Sequence, residues 1–552
     1  MKFLETLARD LILDAEQGSR ILVLVPNKRA GIFLKRSLQS LVTKPVLSPD
    51  IVSSEAFVSE ITGFVPADHV ALVILLYELY ADELKKLDSP QYEAVADDDG
   101  VFGTKVPDLG DFFGMGSVLL KDFDEIDRYC VDSDALFAEM GQVGKDSSLS
   151  EKFRTLWGSA GKLYKRFKEA ALERGLVYTG LIYRTAVEGL ADRELPYDKV
   201  YWAGLYACTE SEKRLFAILE DKFRDAFKVY LDLDAYYCLD ENQEAGEIYR
   251  KFWKPNYRSR IPSDFAHKKI QIETVPVQGG TGMAKFAGTV LEALPQTDDD
   301  EEIPSVAVIL PDASLLFPVL NSIPERFKHI NVTMGLPFRS TRLYSFCMLL
   351  FGIEETVSGE DGGRIFIDDF SELINHPYFR ALSADGVQEK LRLEYENRVR
   401  ENNAYLPASL LSEVQPVADF INAENALLAM RALVVLGRAI TAKYLDSASP
   451  SELRVVYEGW QAFAKLGEKL ESFGNLRVSQ LRKIIDTVFS SQGIAFTGEP
   501  LKGLQVMGML ETQCLAFDTV IFISANEGLL PFQSSGSSLI PDSVRRITGL
   551  PS

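Results

Sequence analysis

Two polar segments follow apolar runs near the end of the chain and could contact a ligand. The run Leu504–Leu510 precedes Glu511-Thr512-Gln513, and the run Thr519–Ser524 precedes Ala525-Asn526-Glu527-Gly528. The second run is uncharged and rich in β-branched residues, which is typical of a strand buried on both faces of a parallel sheet. Ligands of open α/β sheets bind at the carboxyl ends of the strands. We therefore expect Glu511, Thr512, Asn526 and Glu527 at a ligand-binding edge.

Two further segments carry residue types that bind nucleic acid. The strand-like run Ile21–Val25 leads into a helical pattern whose first turns contain Lys28, Arg29, Lys35 and Arg36. A basic helix start can bind phosphate, although a solvated amphipathic helix explains the spacing at least as well. Residues 249–260 mix basic and aromatic side chains, including Trp253 and Arg258, which could stack on bases and pair with phosphates. A linker with docked aromatic side chains is the alternative that we slightly favour there.

The residues that a nucleotide-hydrolysing site requires are missing. None of the 552 residues belongs to a G-x-x-x-x-G-K-[ST] phosphate loop. Gly279, Gly280 and Gly282 lie between the strand-like run Ile270–Val275 and a helical pattern, but no Lys and no Ser or Thr stands at the places that a phosphate loop requires. These glycines are therefore a weak nucleotide-binding candidate, and the segment is expected to be a strand-to-helix turn.

No metal site is expected from the sequence. Four carboxylates lie within Lys121–Asp127, but at helical spacing they spread over more than one face and no His is near. We expect a solvated acidic helix there. The histidines are isolated, and His376 is expected to cap or pack. The five cysteines occur singly, which favours reduced thiols in a cytoplasmic protein.

Charge and hydropathy exclude other classes. Acidic residues outnumber basic residues by 80 to 59, for a net charge of −21, whereas a dedicated nucleic-acid-binding domain is basic. Any DNA contact must therefore use local basic patches or a partner protein. No secretory signal core and no uncharged run of membrane-spanning length is present, and a cytoplasmic location is expected.

Strand and helix patterns alternate in two regions and predict an α/β fold. Two parallel-sheet domains are expected, each interrupted by a large helical insertion. The first domain is expected to comprise residues 1–65 and 191–265, with an insertion at 66–190. The second is expected to comprise residues 266–345 and 495–552, with an insertion at 346–494.

Several motifs carry a resemblance to a known family. Residues 503–531 read G-L-Q-V-M-G-x-L-E-T-x-x-L-x-F-D-x-V-I-x-x-x-x-N-E-G-x-x-P, residues 331–337 read N-V-T-M-G-x-P, and residues 373–378 are similar to L-L-x-H-P-Y. Together they resemble the AddB/RexB-like branch of the UvrD-type superfamily 1 helicase–nucleases, in its Bacteroidetes-type form. Residues 23–31, V-L-V-P-N-K-R-A-G, resemble an early DNA-contacting motif of such helicases. Gln513 stands where the family usually has Arg.

The resemblance covers nearly the whole chain, but only the helicase-like half of the family protein. It implies two RecA-like domains with helical insertions, and a late motif that couples nucleotide to DNA in active relatives. Besides the phosphate loop, the chain lacks the Asp-Glu pair of active relatives, since it reads Trp202-Ala203-Gly204 at that strand. The resemblance therefore implies a non-motor scaffold.

Such a subunit would act in DNA double-strand-break end processing and recombinational repair. It would guide single-stranded DNA or duplex ends and bind an AddA-like, UvrD-type helicase subunit. The family's PD-(D/E)XK exonuclease domain, with Mg²⁺ and in some members an iron–sulfur cluster, is expected beyond residue 552, and no catalytic residue is assigned in this chain. Two alternatives remain open: a nucleotide-binding α/β enzyme that uses Gly279–Gly282, and a protein-interaction module without DNA affinity.

Overall fold

A computed structural model describes most of the chain. The described residues are 3–87, 106–146, 151–254, 261–295, 306–358, 363–445, 450–474, 476–491, 493–494, 501–530 and 538–551.

The first half of the chain builds a parallel sheet of four strands. These are β1 (Ile21–Val25), β2 (Asp50–Ser53), β3 (Lys199–Ala203) and β4 (Phe227–Tyr230), in the order β2-β1-β3-β4. All five residues of β1 are buried, as an apolar run in the middle of a parallel sheet should be. Around the sheet lie α1 (Phe3–Glu16), α2 (Lys28–Leu41) and α3 (Ser54–Thr62).

A helical insertion separates β2 from β3. Its helices are α4 (His69–Leu87), α5 (Leu109–Arg128), α6 (Ser133–Asp146), α7 (Glu151–Arg174) and α8 (Thr179–Gly189). Large aromatic side chains such as Phe112, Phe123 and Phe167 are fully buried among them. After β3 come α9 (Glu210–Phe223) and the single turn α10 (Ala235–Cys238). A capping box between Thr209 and Glu212 begins α9.

A second parallel sheet follows the same plan. Its strands are β5 (Val306–Ile309), β6 (Ile330–Val332), β11 (Leu504–Met507) and β12 (Thr519–Phe522), in the order β12-β5-β11-β6. Helices α11 (Gly280–Ala293) and α12 (Leu316–Leu320) accompany it. The second helical insertion lies between β6 and β11, which are the second and third strands of this sheet in chain order.

The second insertion contains most of the remaining elements. Two small antiparallel pairs occur within or beside it, β7 (Leu336–Pro337) with β10 (Gly493–Ile494) and β8 (Arg364–Phe366) with β9 (Tyr405–Pro407). Its helices are α13 (Arg342–Ser358), α14 (Ile367–Asn375), α15 (Pro377–Leu382), α16 (Asp385–Arg400), α17 (Gln415–Ile421), α18 (Ala426–Tyr444), α19 (Pro450–Leu470) and α20 (Val478–Ser491). Helix α21 (Asp542–Thr548) ends the described chain.

This architecture confirms the predicted fold class. The protein has two RecA-like, all-parallel α/β domains, and a large helical segment interrupts each of them. The two insertions contact each other: Gln480 Nε2 donates to Asp108 Oδ2 at 2.7 Å, and Lys483 Nζ lies 2.7 Å from Asp111 Oδ1. A Cβ placed on Gly110 would lie 2.4 Å from Gln480 Cβ, so only glycine permits this approach of α5 to α20.

Two strand predictions were wrong in detail. Ile270–Val275 does not form a strand: none of the described strands hydrogen-bonds to it, and all six of its residues are exposed. Strand β12 pairs with β5 on one side only and is an edge strand of the described sheet, so Val520 and Phe522 are 52% and 40% exposed. An apolar composition indicates a strand, but tertiary pairing decides whether that strand is central or at an edge.

Candidate functional site: the cleft between the two parallel sheets

Helix α2 presents three of the predicted DNA-binding cations to solvent. It begins at Lys28 because Asn27 Oδ1 accepts a hydrogen bond from the Ala30 backbone N–H at 2.8 Å, which caps the helix. Ala30, Gly31, Leu34 and Leu38 form its buried face. Lys28, Lys35 and Arg36 are exposed and therefore accessible to a phosphate chain.

The fourth cation, Arg29, contacts the second sheet. Arg29 is half-buried, and its Nη1 donates to Gln505 Oε1 on β11 at 3.1 Å. With its amide oxygen turned toward the guanidinium, Asn331 on β6 accepts from both terminal nitrogens of Arg29, at 3.0 and 3.1 Å. Arg29 thus joins the helix start after β1 to two neighbouring strands of the other domain.

The acceptors of Arg29 are held in place by their own contacts. Gln505 and Asn331 are buried and lie opposite each other in the β11–β6 register. Gln505 Nε2 donates to the carbonyl oxygens of Lys502 and Gly503 at 3.0 and 3.2 Å, which directs Oε1 toward Arg29. Burial lowers the pKa of Arg29, and the charge of Glu511 opposes that shift. An arginine remains protonated under such a shift, so a charge is held in the cleft.

A second contact closes the cleft beside β3. Gly204, the residue after this strand, has φ of +72°, and a Cβ there would lie 2.1 Å from Cys514 Sγ. Cys514 follows β11, yet it packs into the core beneath the first sheet together with Val25 and Ala203. Burial raises the pKa of the Cys514 thiol to about 12, so this sulfur is a packing group without nucleophilic character at neutral pH.

These contacts occupy the edge at which a RecA-like domain would bind a nucleotide. Ligands of parallel sheets sit outside the carboxyl ends of the strands, which for β1 and β3 are the residues leading to Arg29 and Gly204. Arg29 and Gly204 contact Gln505 and Cys514 of the second domain instead. The arrangement therefore joins the two sheets through the chain's own side chains.

The four candidate residues within 503–531 lie at two separate places in the second sheet. Glu511 and Thr512 follow β11 on the side of Arg29, and Thr512 Oγ1 donates to the Met509 carbonyl at 2.6 Å in a short 3-10 turn. Asn526 and Glu527 follow β12 and are exposed. Because β5 lies between β11 and β12, the structure does not bring the two pairs together.

Of the two interpretations of residues 249–260, the structure contradicts the stacking of Trp253 on bases. Trp253 is fully buried in the π-helical turn Tyr249–Trp253, and its Nε1 donates to the Tyr206 carbonyl at 2.7 Å. Its indole ring meets the Phe216 ring edge-to-face at 5.2 Å, so no face is open to a base. The docked-linker alternative describes Trp253 correctly. Arg258 lies outside the described residues.

The glycine-rich segment lacks the geometry of a phosphate loop. Helix α11 begins at Gly280 after Gly279, whose φ is +71°. A phosphate loop needs a paired strand before the turn, and Ile270–Val275 has no partner among the described strands. Gly282 lies in the first turn of the helix, where a Cβ would lie 3.3 Å from Val277 Cγ1.

The prediction that residues 121–127 form a solvated acidic helix was also wrong: the helix is present, but two of its carboxylates, those of Asp122 and Asp127, are buried. Asp127 accepts hydrogen bonds from the hydroxyls of Tyr164 and Tyr178, and Arg184 Nη1 lies 3.2 Å from it. Asp122 accepts from Ser538 Oγ at 2.7 Å and from the Leu539 backbone N–H at 2.8 Å. These partners come from distant parts of the chain, so no local pattern could have revealed them.

Other titratable groups are structural. His376 caps α15 through its Nδ1, which accepts from the Tyr378 N–H at 3.3 Å, and its ring stacks on Phe346 at 4.7 Å, as predicted. Burial lowers the pKa of His376 to about 4. In the described part of the chain, no His, Cys, Asp and Glu side chains group in a way that could hold a metal ion, and no helix has the length and apolar character to cross a membrane.

Comparison with known proteins adds no family assignment: neither the protein-family models nor the curated proteins that were searched match this chain.

Proposed function

We propose that this chain is the helicase-like, non-motor scaffold of an AddB/RexB-like subunit. Such a subunit would take part in processing DNA double-strand ends for recombinational repair. The DNA-repair part of this proposal comes from the motif resemblance at residues 331–337, 373–378 and 503–531. The two RecA-like domains with matching helical insertions are the architecture that this resemblance implies.

The closed cleft is the observation that carries the non-motor part of the proposal. A motor opens and closes the cleft between its RecA-like domains as nucleotide binds and leaves. Here Arg29 bonds across the cleft to Gln505 and Asn331, and Gly204 packs against Cys514. Since the phosphate loop and the Asp-Glu pair are also missing from the sequence, we infer that no nucleotide drives this pair of domains.

Nucleotide binding gives the first test. Titration calorimetry of the chain with ATP and Mg²⁺ should detect no binding, because neither the phosphate cradle nor its Lys is present. Arg29→Ala should not create an ATP site, since it removes a bridging side chain without adding a phosphate-binding group. Micromolar ATP binding that is lost when Gly280 is changed to Ala would instead support the nucleotide-binding enzyme.

DNA binding gives the second test. The exposed cations of α2, Lys28, Lys35 and Arg36, are the candidates among the described residues that can pair with phosphates directly. We expect a fluorescent single-stranded oligonucleotide to bind weakly and with strong salt dependence, because phosphate contacts release counterions. The double variant Lys35→Ala/Arg36→Ala should lower affinity and reduce the salt slope by about 1 for each phosphate that the variant no longer neutralises. Lys285→Ala, an exposed position on α11, is the matched control.

A protein-interaction module without DNA affinity is the second candidate, and the net charge of −21 favours it. No oligonucleotide binding at low salt would select this alternative. In both cases the partner in the proposed complex is an AddA-like, UvrD-type helicase subunit. The Mg²⁺ and the iron–sulfur cluster of the family's exonuclease are proposed for the nuclease region alone, and no residue of this chain is assigned to hold them.

A further inference from the structure

One face of helix α18 is exposed and carries an unusual pattern. Helix α18 packs on α19 so closely that a Cβ on Gly437 would lie 2.3 Å from Trp460 Cβ. Its solvent-facing side exposes Leu428, Val435 and Leu445, the residue just after the helix, at 42%, 49% and 63% of their surfaces. Together with the exposed residues of the same stripe, these positions form the α18 seam, which comprises Leu428, Arg431, Val435, Arg438, Ala442 and Leu445. The exposed Lys443 lies beside this stripe.

The spacing along the seam is that of a helix–helix contact. Successive members are separated by three, four, three, four and three residues, which is the periodicity of the core positions of a coiled coil. At 1.5 Å per residue, the seam is about 26 Å long, or about five helical turns. Single exposed aliphatic side chains are common on protein surfaces, but here they recur on one stripe of the helix at the spacing that a second helix would bury.

The charge of the seam is opposite to that of the molecule. Between residues 426 and 445 the chain has Arg431, Arg438 and Lys443 and no Asp or Glu, although the whole chain has a net charge of −21. None of the three cations has a carboxylate partner among the described residues. Arg438 lies over the Trp460 ring at 5.0 Å, which holds its guanidinium beside the seam.

We propose that the α18 seam is the docking site for an amphipathic helix of a partner protein, with an apolar stripe flanked by carboxylates. The stripe packs on Leu428, Val435 and Leu445, and the carboxylates pair with Arg431, Arg438 and Lys443. This is recognition of a helix by a preformed helical surface, in which apolar burial gives affinity and charge gives orientation and selectivity. The proposal does not depend on the DNA-repair function.

Two other occupants fit the seam less well. Single-stranded DNA is bound best where several aromatic rings are exposed for its bases. The exposed apolar residues of the seam are all aliphatic, and the adjoining helix α19 adds a single largely exposed ring, that of Tyr457. A second copy of the chain would bring the arginines of one seam against those of the other if the two seams met, and like charges oppose that contact.

Two synthetic peptides test the proposal. Both are fluorescent three-heptad helices with the same aliphatic face, one with glutamates flanking that face and the other with lysines. In anisotropy titrations at 0.1 M salt, the glutamate peptide should bind the full chain at least tenfold more tightly than the lysine peptide. The double variant Arg431→Glu/Arg438→Glu should reverse this preference, and Val435→Asp should weaken both peptides.

The controls make each outcome decisive. All three substituted side chains are exposed, so circular dichroism and the Tm should match those of the wild-type chain. Lys285→Glu/Lys162→Glu adds the same charge at exposed positions of α11 and α7 and should leave the preference for the glutamate peptide unchanged. Equal affinity for both peptides would overturn the proposal.

A nucleic-acid site would give a different result. A 30-nucleotide single strand would then displace the glutamate peptide, and the Arg431→Glu/Arg438→Glu variant would lose oligonucleotide binding. That outcome would also overturn the proposal and would assign the seam to nucleic acid. Dimers in sedimentation that Val435→Asp dissociates would assign the seam to a second copy.

Discussion

Asp14 is a buried carboxylate that ties α1 to the first sheet. It accepts hydrogen bonds from Lys199 Nζ at 2.8 Å, from Lys228 Nζ at 2.7 Å and from the Tyr201 hydroxyl. Burial opposes its charge, but these hydrogen bonds outweigh burial and lower the pKa of Asp14 to about 2. Because the folded-state pKa lies below the usual value of an aspartate, the network stabilises the fold above about pH 4 and loses that contribution as the pH falls toward 2.

Urea unfolding between pH 2 and pH 7 measures this contribution. The wild-type chain should lose about 2 kcal/mol of unfolding free energy through Asp14 between pH 4 and pH 2. Asp14→Asn should be less stable at pH 7, because the two lysines lose their counter-charge, and should lack this acid-dependent loss. Asp198→Asn removes an exposed ion pair with Arg20 and serves as the control. The same acid-dependent loss in Asp14→Asn and in the wild type would assign it to other carboxylates.

Gly204 permits the close contact between the domains at the end of β3. Its φ of +72° favours glycine, and an added Cβ would overlap Cys514 Sγ. Gly204→Ala should therefore lower the unfolding free energy by more than the ~1 kcal/mol that a left-handed backbone costs an alanine. Gly175→Ala is a matched control, since Gly175 has φ of +67° and nothing within 4 Å of the position of a Cβ. Equal losses in the two variants would show that the overlap with Cys514 relaxes at no cost.

At the scale of elements, the sequence correctly predicted the helices and strands that are determined by their own residues. The apolar run Ile21–Val25, predicted to be strand-like, is the buried strand β1, and the helical pattern with Lys28 and Arg29 in its first turns is α2. The pairing of Ile270–Val275 and the exposure of β12 depend on which strands lie beside them, which no local pattern encodes. In the cleft, Glu511 and Arg29 were identified as candidates by residue type. Their proximity and the bond from Arg29 to Gln505 result from tertiary contacts between residues almost 500 positions apart.

The Tyr249–Trp253 turn provides a prediction about an element. Because Trp253 is fully buried and bonded to the Tyr206 carbonyl, Trp253→Ala should cost about 3–5 kcal/mol of unfolding free energy. Its effect on oligonucleotide affinity should be absent once the folded fraction is taken into account. Tyr236→Ala, at an exposed aromatic position nearby, should leave stability nearly unchanged. Full stability of Trp253→Ala combined with lost DNA binding would restore the stacking function to this residue.

At the scale of the whole molecule, contacts between distant segments make the two halves interdependent. Helices α5 and α20 join the two insertions through Asp108, Asp111 and their partners. Helix α21, at the end of the described chain, docks on the first insertion, where Arg545 pairs with Glu125. Together with the bond from Arg29 to Gln505, these contacts hold the two RecA-like domains at several separate places. A molecule built in this way is suited to act as a scaffold, because no single hinge can open the cleft without breaking contacts elsewhere.

Distance measurements across the cleft test this rigidity. Spin labels on cysteines introduced at the exposed positions Ser40 and Ala525 report on the first and second domains, respectively. The introduced thiols should react first, because burial raises the pKa of every native cysteine. Pulsed electron paramagnetic resonance should give one narrow distance distribution that ATP and Mg²⁺ do not change.

Arg29→Ala should broaden that distribution, because Gln505 and Asn331 lose their partner. Within the cleft, only the packing of Gly204 against Cys514 then remains among the contacts described above, while the contacts of α20 and α21 still limit how far the domains separate. Arg36→Ala removes an exposed cation of the same helix and should leave the distribution narrow. The two variants separate a bridging function of Arg29 from a general effect of charge on α2. A distance that shifts with nucleotide in the wild-type chain would contradict the scaffold proposal, since the cleft would then move as it does in a motor.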